Sequence, residues 1–168
     1  FGIRTGPLGF TRSFNAVDLR ALSWLGAWID WELMRSFESP PRTQEVLGIF
    51  REALTNAEIN DGLMLVPISN MVDRDALSQV ADFLLPTEGV EVVISFGVRM
   101  SKVILSVRSN NESLHIGKIL SASFAKGSAG GHKALGGGQI PFEELNCENG
   151  EEAMLSVTEI LKSAFGGI

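Results

Sequence analysis

The residues of this 168-residue chain whose types and spacing suit chemistry gather in one stretch. Gly127-Ser128-Ala129-Gly130-Gly131-His132-Lys133-Ala134-Leu135-Gly136-Gly137-Gly138-Gln139-Ile140 sets six glycines around one histidine. Glycine lets the backbone take φ > 0 and come close to a ligand, and consecutive N–H groups in such conformations form a concave nest that attracts anions. A phosphate suits that nest, with Gly130 and Gly131 supplying amides and His132 and Lys133 adding donors and charge. Composition allows a plainer reading equally well, a flexible loop in which His132 is merely exposed or caps a carbonyl. Upstream, Arg108 and Ser109 end an apolar run. A guanidinium can grip two oxygens of one phosphate in a fixed fork, although a surface arginine in an ion pair is the ordinary alternative.

Other reactive residues carry less. His115 has no carboxylate or cysteine cluster beside it and reads as an exposed residue early in a helix. Asp73 and Asp75 resemble a paired-carboxylate motif, but Asp73 is already the expected cap of a helix. Cys147 is the single cysteine, which excludes an intrachain disulfide and fits a reducing, cytoplasmic setting. No Gly-x-x-x-x-Gly-Lys-Ser/Thr run and no Cys/His spacing for zinc is present, so neither a catalytic residue nor a metal ligand is assigned to this chain.

These residues need a scaffold, and the composition supplies one. A content of 45% hydrophobic and 20% charged residues describes a globular chain able to bury a core. No apolar run approaches the roughly 20 residues of a membrane helix. A net charge of −6 argues against wrapping long duplex nucleic acid and leaves short anionic ligands open, since one local positive pocket serves them. Without an initiator Met or a leader-like start, Phe1 reads as the beginning of a fragment or processed chain.

Along the chain, Asn15 is a plausible cap for a long helix whose stripe runs Leu19, Leu22, Leu25, Trp28, Ile29, Leu33 and Phe37. Its tryptophans Trp24, Trp28 and Trp31 suit core or homodimer contacts better than a platform for bases. Glu38-Ser39-Pro40-Pro41 breaks the helix and divides residues 1–41 from residues 42–168. Thr43 caps a second helix that turns Val46, Leu47, Phe50, Ala53, Leu54 and Ala57 to one side, and Asn60-Asp61-Gly62 marks a turn. Leu63 to Ile68 reads as a strand that Pro67 ends or confines to an edge. Asp73 caps a helix through Leu84 with Leu77, Val80, Ala81 and Leu84 inward. Val90–Val98 and Lys102–Val107 form a hairpin, Ser113 caps a helix that Gly127 closes, and Asn149-Gly150 introduces a last helix bearing Ala153, Leu155, Val157, Ile160 and Leu161. The expectation is an α/β domain, a mixed β-sheet flanked by helices, preceded by a long connecting helix.

The string Gly-Ser-Ala-Gly-Gly-His followed by glycines and Ile-Pro resembles the signature of the DHH-associated domain, the C-terminal substrate-binding domain of DHH-family phosphoesterases. Val107-Arg108-Ser109, Ala81-Asp82-Phe83-Leu84 and Phe1-Gly2-Ile3-Arg4-Thr5 match in the same order, so the resemblance spans most of the chain. It implies that Arg108 and His132, with Ser109, Gly130 and Gly131, hold the terminal phosphate of a short oligonucleotide, nucleoside bisphosphate or cyclic dinucleotide. It also implies manganese-assisted hydrolysis, with the metal pair held by an N-terminal domain outside this sequence. One departure stands out, because Gly6 occupies the position of a metal-binding aspartate and Pro7 that of a threonine. A module that kept the nucleotide pocket and lost catalysis is therefore the alternative.

Overall fold

The computed structural model describes residues 15–38, 42–69, 74–125 and 127–166. The segment around Gly6, the Pro40-Pro41 break and the Asp73 cap lie outside the described residues. The chain divides into two compact units, Phe1–Arg42 and Thr43–Ile168.

In the first unit Asn15 caps α1 (Ala16–Leu25), its side chain accepting from the Val17 and Asp18 amides while Asp18 accepts from the Asn15 N–H. The helical stretch is then split rather than run as one rod. A single 3-10 turn, Gly26–Trp28, leads to extended Ile29, and Asp30 restarts the chain as α2 (Trp31–Glu38) by accepting from the Glu32 and Leu33 amides. An aspartate that can bond the backbone two and three residues ahead favours a new cap over helix continuation. Trp24, Trp28 and Trp31 are all exposed.

The second unit contains α3 (Gln44–Asn56), β1 (Glu58–Asn60), β2 (Leu63–Ile68), α4 (Arg74–Leu84), β3 (Val92–Arg99), β4 (Lys102–Ser109), α5 (Ile116–Ser123), β5 (Ala129–Gly131), β6 (Leu135–Pro141), the short α6 (Phe142–Leu145) and α7 (Gly150–Phe165). Its strands make one sheet in the order β1-β2-β3-β4-β6-β5. The β2–β3 pair is parallel, bridged in sequence by α4, and the other pairs are antiparallel. Strand β1 escapes sequence reading because its three residues are all exposed and carry no alternation. The Asp61-Gly62 turn that joins it to β2 has φ of 45° and 84°, a left-handed pair that Asp-Gly tolerates.

The near-continuous apolar character of the central strands follows from helices on both faces, since successive residues of a strand point to opposite sides. Met64, Val66, Ile68, Val93 and Ile104 pack with Ile49, Phe50 and Ala53 of α3 and Leu77, Val80 and Ala81 of α4. Their neighbours Leu63, Leu65, Val92, Ile94, Phe96, Val103, Leu105 and Val107 pack with Ile116 and Leu120 of α5 and Val157 and Leu161 of α7. Leu47 and Leu54 face solvent on α3, and Leu155 does so on α7, so the inward arc of each helix is narrower than the apolar residues suggest. Pro67 is accommodated within the sheet because β1 covers β2 only as far as Leu65, while the Pro67 carbonyl accepts from the Asn56 amide.

Two expected helix ends move. The N-cap of α5 is His115 rather than Ser113, whose N–H is instead bound by the Asn111 side chain. Its C-cap is Phe124 in extended conformation, leaving Gly127 (φ 96°) in the turn that enters β5. Phe96, fully buried at the centre of the sheet, should be the most sensitive test of the packing against α5 and α7. Phe96→Ala is expected to lower the unfolding free energy by about 3–5 kcal/mol in urea titration.

Candidate functional site

The glycine-rich stretch is mainly an antiparallel hairpin, β5 and β6, with residues 132–134 as its turn. His132 N–H donates to Leu135 O at 2.8 Å and Gln139 N–H to Ser128 O at 2.8 Å. Bonded pairs alternate along an antiparallel ladder, so Gly130 exchanges bonds with Gly137, while the Gly131 N–H lies on the outer edge. The Gly130 amide is thus engaged in the sheet, and Gly131 is the residue of the pair whose amide is turned outward.

The turn's carbonyls are all spoken for. His132 O accepts from Gly117 N–H at 2.9 Å, Lys133 O from Ile116 N–H at 3.0 Å and Ala134 O from Ser109 N–H at 2.9 Å. His115 completes the first turn of α5, its Nδ1 accepting from the Lys118 N–H at 3.3 Å. Amides at a helix start are ready anion donors. Here those of Ile116, Gly117 and Lys118 are satisfied within the chain, and their role is to hold the glycine-histidine turn against the end of β4. Ser109 belongs to the same joint: it is buried, and its Oγ accepts from the Asn111 N–H as the chain leaves the strand.

Close packing accounts for the glycines at this joint. A Cβ on Gly117 would sit 2.1 Å from the Gly131 carbonyl oxygen, and one on Gly136 would sit 2.9 Å from the Gly130 carbonyl oxygen. Backbone approaches of this kind admit no side chain.

Arg108 lies on the sheet face covered by α3 and α4. Its Nε donates to Asp82 Oδ1 at 2.8 Å and its Nη2 to Asp82 Oδ2 at 3.4 Å, while Nη1 reaches Ser106 Oγ and Val107 O at 3.1 Å each. Asp82, on α4, was legible in the Ala-Asp-Phe-Leu motif but not as the partner of Arg108. Ser106 could have been found from its spacing, two residues before Arg108 and hence on the same face of the strand.

Register carries one row across the sheet. Val93 of β3 pairs with Arg108 of β4, Arg108 with Leu135 of β6, and the His132–Leu135 bond extends the β5–β6 register by one step. Directly opposed residues share a face. Val93 belongs to the α3–α4 core, so Arg108 and Leu135 stand on that same side, with Leu135 38% exposed, while His132, one residue past β5, is exposed. At the usual strand spacing the Cα atoms of Arg108 and His132 are about 10 Å apart, a span that two long side chains can close on one tetrahedral oxyanion. Among the described residues no group of three or more His, Cys, Asp or Glu can hold a metal ion, so the described residues do not fit the metal pair that the resemblance implies. No helix among them is long and apolar enough to cross a membrane.

Comparison with known proteins agrees with this architecture. The family model described as the DHHA1 domain matches residues 60–164, from β1 to the last turn of α7. An uncharacterized protein of Methanocaldococcus jannaschii is 28% identical over 160 residues, covering 95% of this chain and 33% of its own length. The crystal structure of an exopolyphosphatase-related protein from Bacteroides fragilis has the same fold, with a TM-score of 0.74 at 17% identity over 96% of this chain and 47% of that one. The chain therefore spans about a third of the curated relative's length.

The joint makes a stability test with a built-in contrast. Gly117→Ala must push the Gly131 carbonyl away and is expected to destabilise by roughly 1–3 kcal/mol. Gly48→Ala, on α3 where an added Cβ meets nothing within 4 Å, is expected to stabilise by about 0.5–1 kcal/mol. Urea titration of the two variants beside the parent reads both.

Proposed function

The chain belongs to the DHHA1 domain family, and on that premise we propose that it is the substrate-binding part of a metal-dependent phosphoesterase acting on short oligonucleotides, nucleoside bisphosphates or cyclic dinucleotides. Its task is to hold the terminal phosphate. The observation that carries this reading is the backbone row Arg108–Leu135–His132, in which the register of β4 with β6 and the His132–Leu135 bond bring an arginine and an exposed histidine to either side of a partly exposed leucine.

In this reading Arg108 supplies the charge and His132 a ring N–H, while the Gly131 backbone, packed against Gly117 of α5, shapes the turn beside them. Ser109 acts indirectly, by fixing the turn through its own N–H on Ala134 O. Charge-assisted contacts of this kind are worth about 1.5–3 kcal/mol each, enough to select a phosphorylated end without a broad basic surface. That suits a chain of net charge −6 and disfavours long duplexes as ligands. In this reading metal-assisted chemistry, with manganese as the metal, belongs to residues other than the described ones.

Gly6, standing where the resemblance has a metal-binding aspartate, favours a second reading in which the module binds a nucleotide without hydrolysis. An Asp-His-His triplet encoded upstream would support the first reading, and its degradation the second. The 168-residue chain alone is expected to show no manganese-dependent hydrolysis of the 5′-phosphorylated dinucleotide pApA in either case. Metal-dependent turnover that persists through repurification would contradict the assignment of catalysis elsewhere.

The pocket itself is tested by isothermal titration with pApA and with unphosphorylated ApA. Arg108→Ala and His132→Ala are each expected to weaken pApA binding by roughly tenfold or more, the loss of one charge-assisted contact, and to leave the weak ApA binding unchanged. If both variants bind pApA as the parent does, the row is not a phosphate site.

A further inference from the structure

We propose that Asp82 is a placeholder anion: its carboxylate occupies the edge of Arg108 that a ligand phosphate takes, and binding proceeds by exchange of one for the other. The inference rests on the phosphate site proposed above and adds to it the state of that site before ligand arrives.

The guanidinium has two differently committed edges. Nη1 is tied to Ser106 Oγ and Val107 O, two groups of its own strand, which fix the plane of the group on β4. The Nε–Nη2 edge faces Asp82, with one short bond of 2.8 Å and one long bond of 3.4 Å. A fork grip on a phosphate needs two donors on one edge, and the edge that β4 does not occupy is the one Asp82 holds. The long bond at Nη2 is the weaker end of the pair and the natural point at which an incoming oxyanion enters.

Exposure gives the exchange its direction. The Arg108 side chain is 14% exposed and that of Asp82 33%. A guanidinium largely withdrawn from water is costly to leave without an anion, so an empty site needs a counter-charge. A carboxylate one-third open to water can turn into solvent at smaller cost when a more highly charged phosphate arrives. Asp82 stands on α4 and the rest of the phosphate site on the sheet and the β5–β6 turn, so the carboxylate can yield without disturbing the other donors. Asp82 is thus a positioning residue that sets the affinity of the site by competing for its arginine.

The test is titration of the whole chain with pApA, using Asp82→Asn beside the parent, Arg108→Ala, His132→Ala and the Asp82→Asn/Arg108→Ala double variant. Asparagine keeps an oxygen for Nε–H and removes the charge, so affinity for pApA is expected to rise roughly tenfold, a gain that a merely structural role would not produce. The double variant is expected to bind no better than Arg108→Ala. Unchanged or weaker pApA binding by folded Asp82→Asn, with Arg108→Ala and His132→Ala still impaired, would overturn the placeholder and leave the phosphate site standing. Parent-like binding by Arg108→Ala and His132→Ala would overturn both. Should Asp82→Asn fail to fold, the carboxyl carbon resonance of Asp82 in the parent decides the matter. It is expected to shift as pApA saturates the chain, and a resonance that stays in place under saturation overturns the proposal.

Discussion

Three successive carbonyls, those of His132, Lys133 and Ala134, each receive a backbone N–H from another element, and the geometry of the candidate site depends on that joint. The donors come from the start of α5 and the end of β4, so one turn is locked simultaneously to a helix and to the sheet. Buried backbone groups must find partners. A turn alone cannot satisfy its own carbonyls, and a helix start leaves its first amides open. Each deficit meets the other here. The same fit brings the Gly117 backbone onto Gly131 and Leu120 onto Gly136, so a side chain at these glycines would separate the two surfaces.

A second, polar seam runs under α4. Ser95, fully buried in β3, donates its hydroxyl to Leu77 O at 2.7 Å, and Ser78 Oγ lies 3.2 Å from Ser106 Oγ, which also receives Arg108 Nη1. Polar groups in an otherwise apolar layer are tolerable only when paired, and paired they specify one register between helix and strand. That register is what places Asp82, one turn beyond Ser78 on the same helix, opposite Arg108. The arginine is therefore aimed by a line of serines and a carboxylate, while the histidine is aimed by main-chain bonds. The two halves of the candidate site owe their positions to different physics and share only the register of β4 with β6.

Much of the scaffold is legible in the sequence. Apolar, β-branched-rich runs at Leu63–Ile68, Val90–Val98 and Lys102–Val107 announced strands, Thr43 and Asn149 announced helix starts, and Leu77, Val80, Ala81 and Leu84 announced the buried face of α4. Local signals of this kind depend on neighbours within a turn or a pleat, which the sequence displays directly. The glycine-histidine string and the Arg-Ser pair were likewise visible as residue types, and they led to the right family.

What the string would become was not visible. Glycines suit a nest and a tightly packed strand equally well, because both need backbone without side chains; only the presence of β4 on one side and α5 on the other turned Gly130, Gly136, Gly137 and Gly138 into sheet. The same holds for Asp82 as the partner of Arg108, 26 residues away in sequence. The sequence by itself determined which groups can bond and which surfaces are apolar. Tertiary structure decided which bonds form, because the bonds that build the site join segments distant in sequence, which only long-range packing brings into register.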